Sequence, residues 1–269
     1  MLASPPPKHY LALTLSVIWE RWNFKTLRIV MPVWDKYFFN IARAGNLGFL
    51  EELAIDYASD GGHPDFAAEH VTVAFPNLKY LRVNGNSYDR PLVAARLWDC
   101  PVLDVLIVYS SPMCIETELT VALLPLGLRL TRLALHGPYP RNTDLDLGRF
   151  CPCLQIYECH VGATAPSITQ HPILTKIVFH GPRFMLYDGF DGDGWYEFVS
   201  QHRKITEGGP WPCLSEITYS FWPTLPLGHV PPEWLGLWVA TVYPTLTHQK
   251  IRSVGWDGLD LVDETLFIS

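Results

Sequence analysis

Phe75-Pro76-Asn77-Leu78-Lys79-Tyr80-Leu81-Arg82-Val83 carries the pattern from which the architecture of this chain follows. An aromatic residue, a proline, a variable residue and a leucine lead into an alternation of polar and apolar side chains. Proline halts a preceding helix and biases the residue before it to extended geometry. Leu81 and Val83, two apart, leave a strand on the same side, and Tyr80 and Arg82 leave it on the other. Leu78, three before Leu81, packs beneath that strand. A unit of this size leaves half of its apolar surface bare, and only a neighbouring unit of the same kind covers it.

The phrase returns. Cys100-Pro101-Val102-Leu103 leads to Leu106 and Val108, and Cys151-Pro152-Cys153-Leu154 leads to Tyr157 and Cys159. His171-Pro172-Ile173-Leu174 leads to Ile177 and Phe179, and Trp211-Pro212-Cys213-Leu214 leads to Ile217 and Tyr219. Copies without proline stand at Phe24, Leu27, Ile29; at Leu50, Leu53, Ile55; at Leu130, Leu133, Leu135; and at Ile251, Val254, Trp256, with a first copy at Tyr10, Leu13, Leu15. The anchors Leu27, Leu53, Leu81, Leu106, Leu133, Tyr157 and Ile177 are spaced by roughly 20–28 residues, within the leucine-rich-repeat period. The steps to Ile217 and Val254 are longer and carry insertions.

Amphipathic stretches between the strands, Tyr37–Ala44, Phe66–Val73, Pro91–Trp98, Ile115–Leu124, Trp195–Arg203 and Pro232–Val242, predict short helices, with Asp35 and Asp193 as N-caps. Asn84-Gly85, His136-Gly137-Pro138 and His180-Gly181-Pro182 mark turns after strands. The expected fold is α/β: an irregular leucine-rich-repeat solenoid (horseshoe), with one parallel strand per repeat on the concave face and short helices on the convex face. It is expected to fill residues 1–269 as a single domain of about nine or ten repeats, with an insertion at 182–210.

Composition narrows the function classes. Hydrophobic residues make up 48% of the 269, enough for a continuous core, and charged residues only 17%. Twenty basic residues against 27 acidic ones give a net charge of -7, a poor match to a groove that grips nucleic acid. The apolar windows Leu119–Leu130 and Trp234–Leu246 are interrupted by Pro125 and Pro244 and are too short to span a bilayer. The first ten residues lack the apolar core of a signal peptide. Six cysteines without such a signal point to free thiols and a cytoplasmic or nuclear location.

The Cys-Pro-x-Leu-x-x-Leu opening at Cys100–Leu106 resembles the cysteine-containing repeats of F-box proteins, particularly the divergent F-box-like proteins of mushroom-forming fungi. The resemblance covers roughly Leu11 to Trp256 and lies in repeat phrasing. It implies the substrate-receptor part of a ubiquitin-ligase subunit. The sequence departs from that family in three ways: no F-box precedes Leu11, the asparagine ladder survives only at Asn86, and no N-terminal cap shows. A Skp-type adaptor is therefore an expected partner only if an F-box lies upstream.

Residues pointing away from the leucines supply the candidate binding face. We single out Arg28, Glu52, Tyr80, Arg82, Tyr109, Arg132, His136, Glu158, His160, Lys176, His180 and Glu216 for partner binding, because aromatic and arginine anchors dominate protein recognition. The plainer alternative is an ordinary solvated strand face. His136, His160 and His180 fall at one position of three consecutive repeats, which suggests a stack of imidazoles and, as a hypothesis, a pH-sensitive patch or weak metal site. The plain reading has two of them in His-Gly-Pro turns, with no carboxylate or cysteine at a fixed spacing to complete a tetrahedron.

Other constellations favour bland readings. Asp188-Gly189-Phe190-Asp191-Gly192-Asp193-Gly194 lacks acids where an EF-hand needs them, since Gly189 and Ser200 stand there. Cys151, Cys153 and Cys159 invite a zinc reading, yet repeat register explains the cysteines as small buried hydrophobes. Neither a nucleophile elbow, a phosphate loop nor a dinucleotide fingerprint is present. The expectation is a protein-binding module without cofactor, metal or catalytic residues, acting on a protein partner rather than nucleic acid or membrane. A free-standing regulator with no ligase role is the alternative, and an enzyme with a loop-borne site stands third.

Overall fold

The computed structural model describes residues 25–31, 47–57, 73–85, 98–109, 116–136, 146–160, 171–180, 211–220 and 243–255. Nine strands form one parallel sheet: β1 (Thr26–Met31), β2 (Glu52–Tyr57), β4 (Tyr80–Gly85), β6 (Val105–Tyr109), β7 (Arg132–His136), β8 (Ile156–His160), β9 (Lys176–His180), β10 (Glu216–Tyr219) and β11 (Arg252–Gly255). Their spatial order is their chain order, and every pairing is parallel. Two short strands, β3 (Val73–Ala74) and β5 (Trp98–Asp99), pair parallel in a second sheet. The fold is thus α/β with few helices among the described residues, and a sheet that never doubles back is compatible with a solenoid.

In-register pairing turns the repeated phrase into columns. One core column reads Leu27, Leu53, Leu81, Leu106, Leu133, Tyr157, Ile177, Ile217. The next reads Ile55, Val83, Val108, Leu135, Cys159, Phe179, Tyr219. From Leu53 to Ile217 the first column is at most 1% exposed. Burying each such side chain contributes about 1.5–3 kcal/mol. The leading leucines Leu50, Leu78, Leu103, Leu130, Leu154, Leu174 and Leu214 make a third buried column below them.

The proline has a more specific task than stopping a helix. In Phe75-Pro76-Asn77-Leu78 the amide of Leu78 donates to the carbonyl of Phe75 at 3.2 Å, and Leu103 to Cys100 and Leu154 to Cys151 repeat the bond at 3.2 and 3.0 Å. Proline is therefore the second residue of a β-turn, where its fixed φ is already correct. The copies without proline close the same turn as 3₁₀ segments, Leu47–Phe49 and Gly127–Arg129, with Leu50 to Leu47 and Leu130 to Gly127 both at 3.1 Å. Neighbouring turns are tied by Asn77 to the Gly48 carbonyl and by Arg129 to the Pro101 carbonyl. Buried His171 donates from Nε2 to the Cys151 carbonyl at 3.0 Å, so its ring serves the turn stack. Gly127 takes the place that Phe75 and Trp211 fill elsewhere, because an added Cβ would lie 2.3 Å from the Phe150 carbonyl oxygen.

Several expectations need correction. The last anchor is Ser253, not Val254: β11 pairs Ile217 with Ser253 and Thr218 with Val254. Lys250, at φ 60°, precedes this strand and puts Ile251 where Ser215 stands, and a one-residue slip exchanges the faces. The expected helix at Ile115–Leu124 is observed as α1 (Glu116–Leu126), which runs through Pro125 because only one amide of its last turn is lost. Val73 and Trp98, expected to end helices, belong to β3 and β5. Asn84-Gly85 is not a turn but the end of β4. Two short helices were unexpected: α2 (Leu147–Phe150), capped by Asp146 accepting from the Arg149 amide, and α3 (Tyr243–His248).

The cysteine expectation holds in part. Cys151 and Cys159 are buried, but Cys153 and Cys213 are exposed at the third residue of their turns. The first copy at Tyr10, the helices at Tyr37–Ala44, Trp195–Arg203 and Pro232–Val242, the caps Asp35 and Asp193, the 182–210 insertion and the Asp188–Gly194 loop lie outside the described residues.

Candidate functional site

The sheet face opposite the leucine columns has three columns of its own. The first reads Thr26, Glu52, Tyr80, Val105, Arg132, Ile156, Lys176, Glu216, Arg252. The second reads Arg28, Ala54, Arg82, Ile107, Ala134, Glu158, Val178, Thr218. The third includes Asp56, Asn84, Tyr109 and His136, with His160 opposite His180. All twelve residues chosen from the sequence fall on this face. Of His160 only the backbone register is described.

Side chains on this face meet both straight across, as Asn84 with Asp56 and Lys176 with Glu216, and diagonally. One step across the sheet and two residues along it separates positions by about 8 Å, within reach of arginine and glutamate. Arg28 Nε donates to Asp56 Oδ2 at 2.7 Å, Asn84 Nδ2 to Asp56 Oδ1 at 3.2 Å, and Arg82 stands 3.6 Å from Oδ1. The Arg82 guanidinium also lies over the Tyr109 ring at 4.9 Å from its centroid. Tyr109 stacks on His136, centroids 4.5 Å apart, and His136 meets His180 edge-on at 4.9 Å.

His180 Nε2 donates to Glu158 Oε2 at 2.9 Å, Arg132 Nε donates to Glu158 Oε1 at 2.5 Å, and Ser220 Oγ pairs with His180 Nδ1 at 3.0 Å. Toward the end of the sheet Glu216 joins Lys176 at 2.7 Å, Thr218 at 3.0 Å and Arg252 at 3.8 Å. At the opposite end Glu52 accepts from Thr26 at 3.2 Å. Tyr80, half-buried, is the one chosen residue besides His160 with no pairing given by these contacts; burial pushes its hydroxyl pKa up.

The carboxylates respond to these partners. Burial works to raise Asp56, but the Arg28 and Asn84 hydrogen bonds and the charges of Arg28 and Arg82 outweigh it and hold the group below its ordinary value. Burial acts likewise on Glu158, and the His180 and Arg132 hydrogen bonds and charges overcome it, bringing the group to about 2. Glu216 is held low in the same sense by Lys176 and Thr218, against burial. Burial raises the thiols Cys100 and Cys151 to about 12, so neither is a reactive thiolate near neutrality.

Two features escaped sequence reasoning. His136 and His180 meet edge-on rather than stacked, and His180 has a carboxylate partner, Glu158, drawn from the neighbouring column; register alone does not show which way a long side chain leans. The turn edge also presents an apolar rim: Phe49, Val102, Leu124, Leu128 and Ile173 are exposed. Reading the third residue of each turn as a column would have found Phe49, Val102 and Ile173. Among the described residues no helix is long and apolar enough to cross a membrane. Neither a family model nor a curated protein matches the chain.

Proposed function

We propose that the chain is a leucine-rich-repeat solenoid whose strand face recognises a protein partner, in the manner of the substrate-receptor part of an F-box ubiquitin-ligase subunit. The supporting observation is the continuous side-chain network from Arg28 to Arg132 through Asp56, Arg82, Tyr109, His136, His180 and Glu158. Holding Arg82, Tyr109 and Arg132 in fixed rotamers lowers the ordering entropy a partner would otherwise have to overcome. Arginine and tyrosine are also the side chains that anchor protein interfaces. The Arg28 and Arg132 side chains remain 66% and 43% exposed, so each keeps donors for a partner. The role is binding, without catalysis.

The test is affinity purification from the source organism with the wild-type chain, Arg28→Ala and Arg132→Ala in parallel. The reading expects a protein recovered with the wild type and depleted at least tenfold with either variant. Equal recovery in all three would remove the strand face as the site. A Skp-type adaptor among the recovered proteins supports the ligase role, whereas a partner without an adaptor points to a free-standing regulatory module.

A further inference from the structure

We propose that His136, Glu158 and His180 form a binding site for a divalent transition-metal ion of the zinc type. This is the one grouping of three histidine, cysteine or acidic side chains among the described residues whose ligand atoms all lie within 4.8 Å of one another. It is carried by the ends and middle of three adjacent strands, β7, β8 and β9, whose spacing the sheet fixes. Two imidazole nitrogens and one carboxylate oxygen are a donor set that zinc accepts, with a fourth position left for water or an external ligand.

The local geometry is already close to that of a bound ion. Donors around a tetrahedral zinc are about 3.3 Å apart, from metal–ligand bonds near 2.0–2.1 Å, and His180 Nε2 is 2.9 Å from Glu158 Oε2. Small side-chain rotations would bring His136 in. The second nitrogen of His180 is held by Ser220 Oγ at 3.0 Å, the outer-sphere hydrogen bond that fixes a ligating imidazole. Arg132 Nε takes the other oxygen of Glu158 at 2.5 Å, leaving Oε2 for the ion. On binding, neutral His180 changes tautomer: Nε2 gives up its proton to solvent and coordinates, Nδ1 takes up a proton from solvent, and Nδ1–H donates to Ser220 Oγ, so the ring stays neutral. The positive charge of Arg132 opposes the ion, so the site is expected to be weak compared with an all-neutral shell.

The inference is independent of the protein-recognition reading and is tested on the purified full chain after dialysis against a chelator. Zinc chloride is titrated by calorimetry, and imidazole nitrogen shifts are followed by NMR. One zinc per chain is expected, with the shifts confined to His136 and His180. Glu158→Gln and His136→Gln should each weaken binding at least about tenfold, while Arg132→Met should tighten it and His248→Ala, on the exposed surface of α3, should change nothing. Absence of stoichiometric heat overturns the proposal. So does zinc binding that shifts other histidines only, a result that wild-type protein supplies even where a variant fails to fold.

Discussion

Two carboxylates on the same face are gripped by the same scheme and sit in different surroundings. Asp56 on β2 is reached from both flanking strands by Arg28 and Arg82, and Glu158 on β8 from both flanking strands by Arg132 and His180. Around Glu158 the second column is apolar and closed: Ala134 is fully buried and Val178 is buried, whereas Ala54, beside the Asp56 pairing, is only half-buried. The Glu158 side chain is 7% exposed and that of Asp56 13%, but the donors differ more: Arg28 is 66% exposed and Arg132 43%. An exposed arginine that loses its carboxylate returns to water at little cost. Arg132 and His180 are less exposed, at 43% and 27%, and recover less on losing theirs. The same pairing is therefore expected to contribute less at the Asp56 end of the face than at the Glu158 end.

Removing each acid is the strongest way to break that contrast. Glu158→Ala should destabilise by about 2 kcal/mol, since the carboxylate is buried but the donors it leaves, Arg132 and His180, keep contact with water, and Asp56→Ala by about 1 kcal/mol. Urea midpoints of the two variants measure this directly, and equal losses would mean that the closed setting has no energetic weight.

Acid titration examines the same difference by another route. Glu158 lies at about 2 in the folded chain against an ordinary 4.5, so its contribution is full above 4.5 and is lost as pH falls from 4.5 towards 2. Stability of the wild type relative to Glu158→Gln should fall across that window by about 1–2 kcal/mol, once solvent screening of its partly exposed partners is allowed for. The direction is the same for Asp56, also held below its ordinary value. An acid limb unchanged by Glu158→Gln would contradict the pairing.

Much of this arrangement is legible in the chain, for a physical reason. Side-chain alternation has period two, so once the Pro-x-Leu turns fix where each strand begins, the face of every residue follows, from Arg28 through Glu216. The same logic failed at β11, because the chain enters that strand through Lys250 at positive φ and the apolar residues Ile251 and Val254 mimic a register that Ser253 in fact occupies. The helix ends at Val73 and Trp98 were misread since both are apolar residues ahead of a turn, and such positions suit either a helix face or the short strands β3 and β5. Within the candidate face, register placed Glu158 and His180 in different columns, and their 2.9 Å contact depends on rotamers that no spacing rule encodes.

Salt sharpens the comparison at a smaller scale. At about 1 M ionic strength the screening length is roughly 3 Å, so the Asp56→Ala loss should shrink towards the roughly 0.5 kcal/mol of its Asn84 hydrogen bond while the Glu158→Ala loss keeps most of its size. Paired denaturation series with and without salt read the difference, and parallel shrinkage would place both carboxylates in comparable contact with solvent.

The smallest expected effect separates charge from hydrogen bonding at the Asp56 end. Asn84 Nδ2 gives Asp56 a neutral donor at 3.2 Å, beside the two arginines. Asn84→Ala removes that bond without altering charge, and Asp56 retains Arg28 at 2.7 Å. A hydrogen bond from this neutral donor to a partly exposed carboxylate that keeps its arginines contributes about 0.5 kcal/mol, and this loss should survive high salt because no ion pair is removed. If Asn84→Ala instead costs as much as Asp56→Ala, the carboxylate is held mainly by its amide neighbour. The arginines would then be free to turn towards a partner, and the Asp56 end of the face, although the more exposed, would be the better organised of the two.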